Sequence, residues 1–305
     1  MATNDAGEVG GGRFAIEGQA FPAPPLAPGL YVVATPIGNL GDVTLRALRT
    51  LAAADMLACE DSRVTRVLLD RYSIARSLVT YHEHNAAEQR PKLLAALEDG
   101  KSVALCSDAG TPLLSDPGYR LVLDATGAGH AVFPIPGASA LLAGLVTAGL
   151  PTDAFFFAGF LPPKQAGRRK RLQELVAVPG SLVFYESPHR VAASLDDMAA
   201  VLGDRPAAVA RELTKAFETV RRGPLSALAA TFAEAPPKGE IVVVVGPPIA
   251  AAPDEETVDA LLRRLLAAGS VKSAAEEAAA ATGLPRRDLY QRALALRDSG
   301  DGDGA

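Results

Sequence analysis

From Leu30 onward, short apolar runs alternate with longer segments in which apolar positions recur at helical spacing. The short runs predict strands, and the longer segments predict helices. This alternation is typical of a parallel or mostly parallel sheet with helices on its faces. In the first half of the chain the predicted strands are residues 30–35, 55–59, 78–81, 103–106 and 131–135, and the predicted helices are residues 43–53, 64–71, 86–99, 119–125 and 139–148.

A second alternating block begins after Pro151. Its predicted strands are residues 155–160, 182–185, 207–211 and 241–245, and its predicted helices are residues 168–176, 191–201 and 225–233. The proline-marked passage predicts a domain boundary, with one α/β domain over residues 29–150 and a second over residues 151–250. Two tandem α/β domains create a cleft between them, which is a favoured place for a small-molecule site.

The two ends of the chain differ from this pattern. Residues 1–28 are rich in Gly, Ala and Pro and show no periodicity, so they predict a disordered tail. Three short helices are predicted within residues 255–298, separated by Gly269-Ser270 and by residues 282–285, as in a helix-turn-helix-like extension. The predicted fold class is therefore α/β, with two tandem α/β domains and a small C-terminal helical domain.

Composition and charge exclude some classes of protein function. The chain has 305 residues, of which 49% are hydrophobic and 5% aromatic, so it predicts a globular protein and not an RNA binder dominated by base stacking. No apolar run approaches the roughly 20 residues that span a bilayer, and no signal peptide precedes the first strand. Cys59 and Cys106 predict buried thiols of a reducing, cytoplasmic compartment. The net charge of −5 means that local basic patches would have to hold any nucleic acid.

The segment from Val103 to Gly118 carries the strongest chemical signal. A short apolar strand ends in a stretch that several glycines and prolines keep irregular, together with several acidic and hydroxyl side chains. An ordinary connection needs one Gly or Pro, whereas this stretch contains Gly110, Pro112, Pro117 and Gly118. The carboxyl edge of an open α/β sheet is where ligands bind, so a binding loop is predicted here.

Other predicted strands also end in polar or glycine-rich loops. Residues 34–42 form a glycine-containing loop, but Pro36 and Asn39 break the spacing of the dinucleotide fingerprint. Residues 58–65 contain an acidic and basic cluster that is either a salt-bridged helix start or a group that orients a polar substrate. His82 and His84 lack the further His or Cys residues of a zinc site, so no metal is predicted. Residues 135–140 end a strand at a helix N-terminus, whose free N–H groups suit a polar ligand.

Together these segments resemble a known family. The order, spacing and number of motifs are similar to those of the tetrapyrrole methylase-like class of S-adenosylmethionine-dependent methyltransferases, and most closely to members that methylate small-subunit ribosomal RNA. The motifs are ATPIGNLGDVTLRA, CEDSRVT, YHEHN, CSDAGTPLLSDPG, PGASA, FYESPHR, RELTKAFET and KGEIVVVVG. The C-terminal helices also resemble the helical extension of that group.

The resemblance implies that S-adenosylmethionine lies between the two domains. At the matching positions it implies three cofactor-binding loops in the first domain and one tyrosine in the second, with Asp108 near the sulfonium or the amino-acid arm. These residues are Pro36, Ile37, Gly38, Asp108, Ala109, Gly110, Thr111, Pro136, Gly137, Ala138, Ser139 and Tyr185.

The resemblance also implies the reaction and the partners. It implies methylation of a cytidine ribose 2′-hydroxyl in the decoding region of small-subunit (16S) ribosomal RNA, within the small ribosomal subunit, by a homodimer. A ribose hydroxyl is a poor nucleophile, so a proton acceptor would help. The candidates are Glu60, Asp61, Glu212 and His82, and the sequence does not choose among them.

RNA contacts are expected at basic residues, because phosphate charge dominates RNA affinity. Five cations within residues 164–171 predict either a phosphate-contacting loop or a solvated helix start, and an RNA substrate favours the loop. The candidate substrate-binding residues are Arg63, His82, Lys164, Arg168, Arg169, Lys170, Arg171, Arg211 and Lys215.

Two alternatives to an RNA methyltransferase stay open. A methylase of a tetrapyrrole precursor would share the fold and the cofactor but would not bind RNA, and the CEDSRVT and YHEHN motifs speak against it. A non-catalytic RNA-binding assembly factor would have a decayed cofactor pocket, and the intact CSDAGTP and PGASA loops speak against that.

Overall fold

The computed structural model describes residues 12–115, 118–248 and 255–300. The chain divides into two compact units, one that extends to Pro248 and one that begins at Ile249. Among the described residues, every helix is too short or too polar to cross a bilayer.

An N-terminal hairpin precedes the first α/β sheet. Strands β1 (Gly12–Ile16) and β2 (Gln19–Ala23) pair antiparallel, and the ring of Phe14 is buried and stacks on Phe21 at 5.5 Å. The prediction of a disordered tail is therefore wrong for residues 12–28, and the remainder of that prediction lies outside the described residues. Short alternating strands within a Gly- and Pro-rich stretch carry little periodicity, although burial of Phe14 is enough to anchor the hairpin.

The first sheet is entirely parallel, as predicted. Its strands lie in the order β5-β4-β6-β3-β7, so the loops after β3, β4 and β6 meet at one edge. The strands are β3 (Gly29–Val33), β4 (Met56–Cys59), β5 (Leu78–Thr80), β6 (Ser102–Cys106) and β7 (Val132–Ile135), and the helices are α1 (Leu45–Ala53), α2 (Ser62–Arg71), α3 (Ala86–Glu98), α4 (Tyr119–Gly127) and α5 (Ala140–Ala148). Helices α1 and α2 contribute to one hydrophobic core, and α3 and α4 contribute to another.

The second sheet is mixed. Its order is β11-β10-β12-β9-β8, with β8 and β9 parallel and the other pairs antiparallel. The strands are β8 (Phe155–Phe160), β9 (Ser181–Glu186), β10 (Pro206–Arg211), β11 (Thr219–Pro224) and β12 (Ile241–Val245), and the helices are α6 (Gln165–Gln173), α7 (Val191–Leu202) and α8 (Leu225–Glu234). The sequence pattern misses β11 because this edge strand carries Arg221 and Arg222 in place of an apolar run.

Helix α5 joins the two sheets into one compact unit. Its buried residues Leu141 and Leu145 pack with Val242 and Val244 of β12. Gly144 lies so close to Val242 that a Cβ at this position would collide with the valine side chain. The predicted boundary after residue 150 therefore separates two sheets but not two independent compact units.

The C-terminal unit is a bundle of three helices, as predicted. Helices α9 (Glu255–Ala268), α10 (Val271–Thr282) and α11 (Arg286–Gly300) share a small core that includes Leu262 and Leu289. The Ser270 hydroxyl accepts a hydrogen bond from the Ser273 N–H at the start of α10, and Gly283 ends that helix in the left-handed conformation.

Candidate active site

Three loops of the first sheet are tied together at its carboxyl edge. Thr35 and Gly110 exchange backbone hydrogen bonds of 2.9 and 3.0 Å, which join the loops after β3 and β6. The Thr111 hydroxyl donates to the carbonyl of Ala138 at 3.3 Å, which adds the loop after β7. Gly110 has φ +81°, a conformation that favours glycine. The sequence therefore places a fixed set of backbone groups where the sheet ends.

An inner cavity of about 390 Å³ opens between these loops and the second sheet. Its walls from the first half are Ile37, Ala109, Gly110, Thr111, Leu114, Ser115 and Ala140. Its walls from the second half are Phe160, Tyr185, Glu186, Ser187, Pro188, Leu213, Gly239, Glu240, Ile241 and Val242. The walls are largely apolar, with a few polar groups from backbone and side chains, which suits a ligand with an apolar body and a few polar anchors.

A buried carboxylate shapes the second-half wall of the inner cavity. Glu186 is 3% exposed, and it accepts hydrogen bonds from the Ser187 N–H at 2.7 Å, from the Arg190 guanidinium and from the Ser194 hydroxyl at 2.5 Å. Tyr185 packs edge-on against Phe157 and Phe160, with ring centroids 4.9 and 5.6 Å away. These contacts fix the loop that faces Gly110 across the cavity.

An outer cleft of about 740 Å³ adjoins the inner cavity and shares Ile37, Ala109 and Glu240 with it. Lys215 forms one side, and its aliphatic chain lies against Gly38, so a Cβ on that glycine would collide with it. The Lys215 ammonium donates to Glu212 Oε1 at 3.0 Å and lies 3.2 Å from Glu240 Oε2. Partial burial lowers the pKa of Lys215, but the two carboxylates outweigh that effect and raise it, so the lysine is a cation.

A polar pocket of about 420 Å³ continues from the outer cleft beyond the ends of β4, β5 and β6. Its residues are Glu60, Asp61, Ser62, Arg63, Thr80, His82 and Asp108, and it shares Asp61, Arg63 and Asp108 with the outer cleft.

The pKa values of the two aspartates in the polar pocket are shifted in opposite directions. Asp61 binds the guanidinium and the N–H of Arg63, and these hydrogen bonds lower the pKa of Asp61 to about 2. Burial raises the pKa of Asp108 above its ordinary value. Asp61 is therefore a fixed anion, whereas Asp108 is the more basic of the two carboxylates.

The predicted cofactor residues do not all reach the inner cavity. Ile37, Ala109, Gly110, Thr111 and Tyr185 line it, whereas Pro36, Gly38 and Asp108 line the outer cleft. Ser139 caps α5 through the Leu142 N–H, and the other residues of the loop after β7 line neither the inner cavity nor the outer cleft. These residues of the loop are Pro136, Gly137 and Ala138.

The candidate catalytic and substrate residues separate into two groups. Glu60, Asp61, Arg63, His82 and Lys215 line the outer cleft or the polar pocket. Neither Glu212 nor Arg211 lines these cavities: the Glu212 carboxylate holds Lys215 and the Glu240 N–H, and the Arg211 guanidinium binds Thr219 and two backbone carbonyls.

The prediction of a phosphate-contacting loop at residues 164–171 is wrong for Arg168. This arginine is 5% exposed, and its guanidinium binds the fully buried Asp197 at 2.5 Å. Arg169 binds the other oxygen of Asp197 at 2.6 Å, and Arg171 pairs with Glu174. The segment is mainly helix α6, which the ion pairs with Asp197 fasten to α7. Lys164 and Lys170 are exposed and take no part in these ion pairs, whereas the exposed Arg169 is already held by Asp197.

Most of the residues that line the inner cavity from the second half of the chain were not predicted from the sequence. Ser187 and Pro188 belong to the FYESPHR motif, which attracted attention for its charges, and Gly239 and Glu240 belong to KGEIVVVVG. The signal that could have identified these residues is the presence of Gly, Pro and Ser at the ends of predicted strands. Among the described residues, His, Cys, Asp and Glu side chains form no group of three or more that could hold a metal ion.

Comparison with known families agrees with this architecture. The sequence model of the tetrapyrrole (corrin/porphyrin) methylases matches residues 29–229, and that of the RsmI C-terminal HTH domain matches residues 251–297. The structure of uroporphyrin-III C-methyltransferase from Thermus thermophilus, solved with S-adenyl homocysteine, is similar with a TM-score of 0.51 and 22% identity, over 71% of this chain and 97% of that chain. The fold and the cleft thus define a methyltransferase of the tetrapyrrole methylase class.

Relatives that match most of this chain identify the family within that class. Ribosomal RNA small subunit methyltransferase I of Mesorhizobium japonicum is 60% identical over 287 residues, 93% of this chain and 98% of that protein. The protein of the same name in Escherichia coli O157:H7 is 49% identical over 216 residues, 70% of this chain and 76% of that protein. The chain belongs to the ribosomal RNA small subunit methyltransferase I family and is an S-adenosylmethionine-dependent methyltransferase, which confirms the resemblance seen in its motifs.

Proposed function

We propose that the protein methylates the 2′-hydroxyl of a cytidine ribose in the decoding region of small-subunit ribosomal RNA. The main support for this proposal is that the inner cavity and the outer cleft adjoin each other and have different linings. The inner cavity is largely apolar, the outer cleft contains Arg63 and Lys215, and Ile37 and Ala109 belong to both. A ribose in the outer cleft therefore faces a cofactor in the inner cavity.

The residues of the inner cavity fit S-adenosylmethionine. Backbone groups of the Ala109–Thr111 loop would hold its polar parts, and Ile37, Ala140 and Val242 would pack against its apolar surface. When bound, the cofactor supplies an electrophilic methyl group. The chain's own contribution is to hold the loops rigidly through the Thr35–Gly110 and Thr111–Ala138 hydrogen bonds, because alignment provides most of the rate in such a displacement.

Phosphates of the RNA are assigned to Arg63 and Lys215. Arg63 is the more exposed candidate, since its side chain is 88% exposed even though it is paired with Asp61. Lys215 is held at the cleft by Glu212 and Glu240. With small ribosomal subunits as the substrate, the proposal also assigns the enzyme to the cytoplasm.

Two of the four candidate proton acceptors are already stabilised as anions. Hydrogen bonds from the Glu240 N–H and from Lys215 lower the pKa of Glu212, and Arg63 lowers that of Asp61. A carboxylate that is already stabilised as an anion is a weak base. Glu60 and His82, which both line the polar pocket, are therefore the candidates that we retain for accepting the hydroxyl proton.

A homodimer is proposed on the exposed face of α5. Leu142 and Val146 are 51% and 72% exposed and lie one helical turn apart, in a helix whose opposite face is buried. We expect the Leu142→Glu, Val146→Glu double variant to sediment as a monomer and the wild type as a dimer, because an apolar stripe of this kind is suited to burial by a second copy. Leu123→Glu on α4 is the matched control. A wild-type protein that sediments as a monomer at micromolar concentration would contradict the proposal.

The activity is tested with radiolabelled S-adenosylmethionine and small ribosomal subunits that lack the modification. We expect label in the ribosomal RNA and none in uroporphyrinogen offered under the same conditions. Label in the tetrapyrrole alone would support the tetrapyrrole alternative. Cofactor binding without transfer to either would remove the RNA assignment, and failure to bind the cofactor would support a non-catalytic assembly factor.

A further inference from the structure

An exposed aromatic ring stands in the loop between β10 and β11, which comprises residues 212–218. Phe217 is 73% exposed, the largest exposed fraction of any large hydrophobic side chain in the described part of the chain. Lys215, two residues earlier, lines the outer cleft. The loop therefore forms part of the rim of that cleft, and an RNA strand whose target ribose occupies the cleft brings its flanking nucleotides within reach of the ring.

The 212–218 loop is held in a strained conformation. Glu212 and Thr214 have φ +53° and +66°, in the left-handed region that residues with a side chain rarely adopt. The Glu218 carboxylate accepts a hydrogen bond of 2.7 Å from the Thr214 N–H, and the Lys215 N–H donates to the Glu212 carbonyl at 3.0 Å. Strained backbone persists only where surrounding contacts hold it, and such positions cluster at functional sites.

Arg211 fixes the backbone from which the Phe217 ring projects. Its Nη2 donates to the Phe217 carbonyl at 3.0 Å, its Nη1 to the Lys238 carbonyl at 3.2 Å, and its Nε to the Thr219 hydroxyl at 3.2 Å. One guanidinium thus holds the backbones of Phe217 and Lys238 next to each other. Lys238 is exposed, and none of the described residues forms an ion pair with it. An aromatic ring and a cation are therefore presented from adjacent backbone positions.

This combination suits single-stranded RNA better than it suits a protein partner. An aromatic ring accepts a nucleobase by stacking, and a cation beside it accepts a phosphate. An apolar protein surface needs a broader patch, but the chain neighbours of Phe217 are the small Ala216 and the charged Glu218. Among the described residues, every other exposed large hydrophobic side chain belongs to a different element.

We propose that Phe217 is the platform on which a base flanking the target nucleotide stacks and that Lys238 contacts an adjoining phosphate. This inference rests on the proposed function, since it concerns the RNA strand whose ribose occupies the outer cleft. Every base has a face that can stack, so the ring holds the strand in place without selecting the target nucleotide.

Three substitutions of Phe217 separate stacking from apolar contact and from loss of fold. With unmodified small ribosomal subunits as substrate, we expect Phe217→Ala to raise KM by about 5–150-fold, the usual loss for one stacked base, and to leave kcat near the wild-type value. Phe217→Leu should behave like Phe217→Ala, because it keeps an apolar side chain but has no ring. Phe217→Trp should retain the wild-type KM. Because the side chain is exposed, melting temperature and S-adenosylhomocysteine affinity should be the same in all three.

The Phe217→Trp variant also gives a spectroscopic test. The chain contains no tryptophan, so this variant carries a single indole fluorophore. We expect 16S ribosomal RNA to quench its emission, because the indole stacks on a base. Phe155→Trp is the control, since Phe155 is 45% exposed and lies at the opposite end of β8 from Phe160, which lines the inner cavity. The emission of this control should not change.

The phosphate contact is tested by the salt dependence of RNA binding. We expect Lys238→Gln to make the slope of log K against log salt concentration shallower by about 0.7, the value for one contact to a single strand. Lys101→Gln is the control, since this exposed lysine precedes β6 at the opposite edge of the first sheet from the site. The slope for this control should equal that of the wild type.

A wild-type KM in Phe217→Ala or in Phe217→Leu would overturn the inference, as would bound RNA that leaves the Phe217→Trp emission unchanged. A wild-type KM together with altered sedimentation of Phe217→Ala would assign the ring to an interface between copies of the chain instead. If the wild type transfers no methyl group to small subunits, the proposed function fails. Filter binding of the subunits to the wild type and to the Phe217 variants then decides separately whether the ring holds RNA.

Discussion

Replacing Asp197 with Ala is expected to lower the free energy of unfolding by about 3–5 kcal/mol, the usual cost of leaving a buried charge without its partner. Asp197 is fully buried and binds Arg168, Arg169 and Gln165. Removal of the carboxylate leaves the 6%-exposed Arg168 side chain without a counter-charge. Urea unfolding followed by circular dichroism measures the change.

An exposed ion pair on the same helix is the control. Arg171→Ala breaks the pair with Glu174, and both side chains are more than a third exposed, so a loss below about 1 kcal/mol is expected. Similar losses for the two variants would mean that the Asp197 cluster is not the fastening between α6 and α7. In that case residues 164–171 would again be available as an RNA-contacting segment.

The same cluster predicts how stability depends on pH. Burial raises the pKa of Asp197, but hydrogen bonds from Arg169, Arg168 and Gln165 outweigh it, so the folded-state pKa lies below the ordinary 3.8. The contribution of Asp197 is therefore complete above about pH 4 and is lost as the pH falls through the lowered pKa. Asp197→Asn should show a shallower loss of stability below pH 4 than the wild type does.

Replacing Gly110 with Ala is expected to weaken S-adenosylhomocysteine binding by roughly 5–30-fold. Gly110 has φ +81°, and a Cβ there would lie 3.2 Å from Ile37 Cγ2. A left-handed conformation costs a non-glycine residue about 1–2 kcal/mol, which corresponds to roughly 5–30-fold in affinity if the loop relaxes out of its binding conformation. Isothermal titration calorimetry measures the affinity.

Gly129 provides a control with matched backbone strain. It also has φ +81°, but no atom lies within 4 Å of a Cβ built on it, and it follows α4 away from the inner cavity. Gly129→Ala should therefore lose stability to a similar extent while binding the cofactor as the wild type does. Equal affinities for the two variants would show that the Thr35–Gly110 loop pairing does not shape the cofactor site.

Much of the fold follows from local patterns in the sequence. Apolar runs such as residues 103–106 coincide with strands because a parallel strand buried on both faces needs a continuous apolar segment. The apolar pattern did not predict strands that are buried on one face only or that lie at the edge of a sheet. Strand β11 carries two arginines, and the β1–β2 hairpin depends on a few buried side chains such as Phe14.

The candidate site was predictable only in its first half. Parallel strands bring their carboxyl ends to one edge, so the loops around Gly38, Asp61 and Gly110 could be grouped from spacing alone. Side-chain direction could not be inferred in this way. The Asp108 carboxylate accepts a hydrogen bond from the Asp61 N–H, and the Arg168 guanidinium binds the buried Asp197. Each contact joins residues that are distant in sequence, so spacing along the chain does not predict it.

The proposed ribose methylation is tested most directly by identifying the nucleoside that receives the methyl group. Ribosomal RNA from unmodified small subunits is methylated in vitro, digested to nucleosides and fragments, and analysed by mass spectrometry. We expect 2′-O-methylcytidine at one position in the decoding region, formed only when S-adenosylmethionine is present. A methyl group on a base, or on a nucleoside other than cytidine, would contradict it.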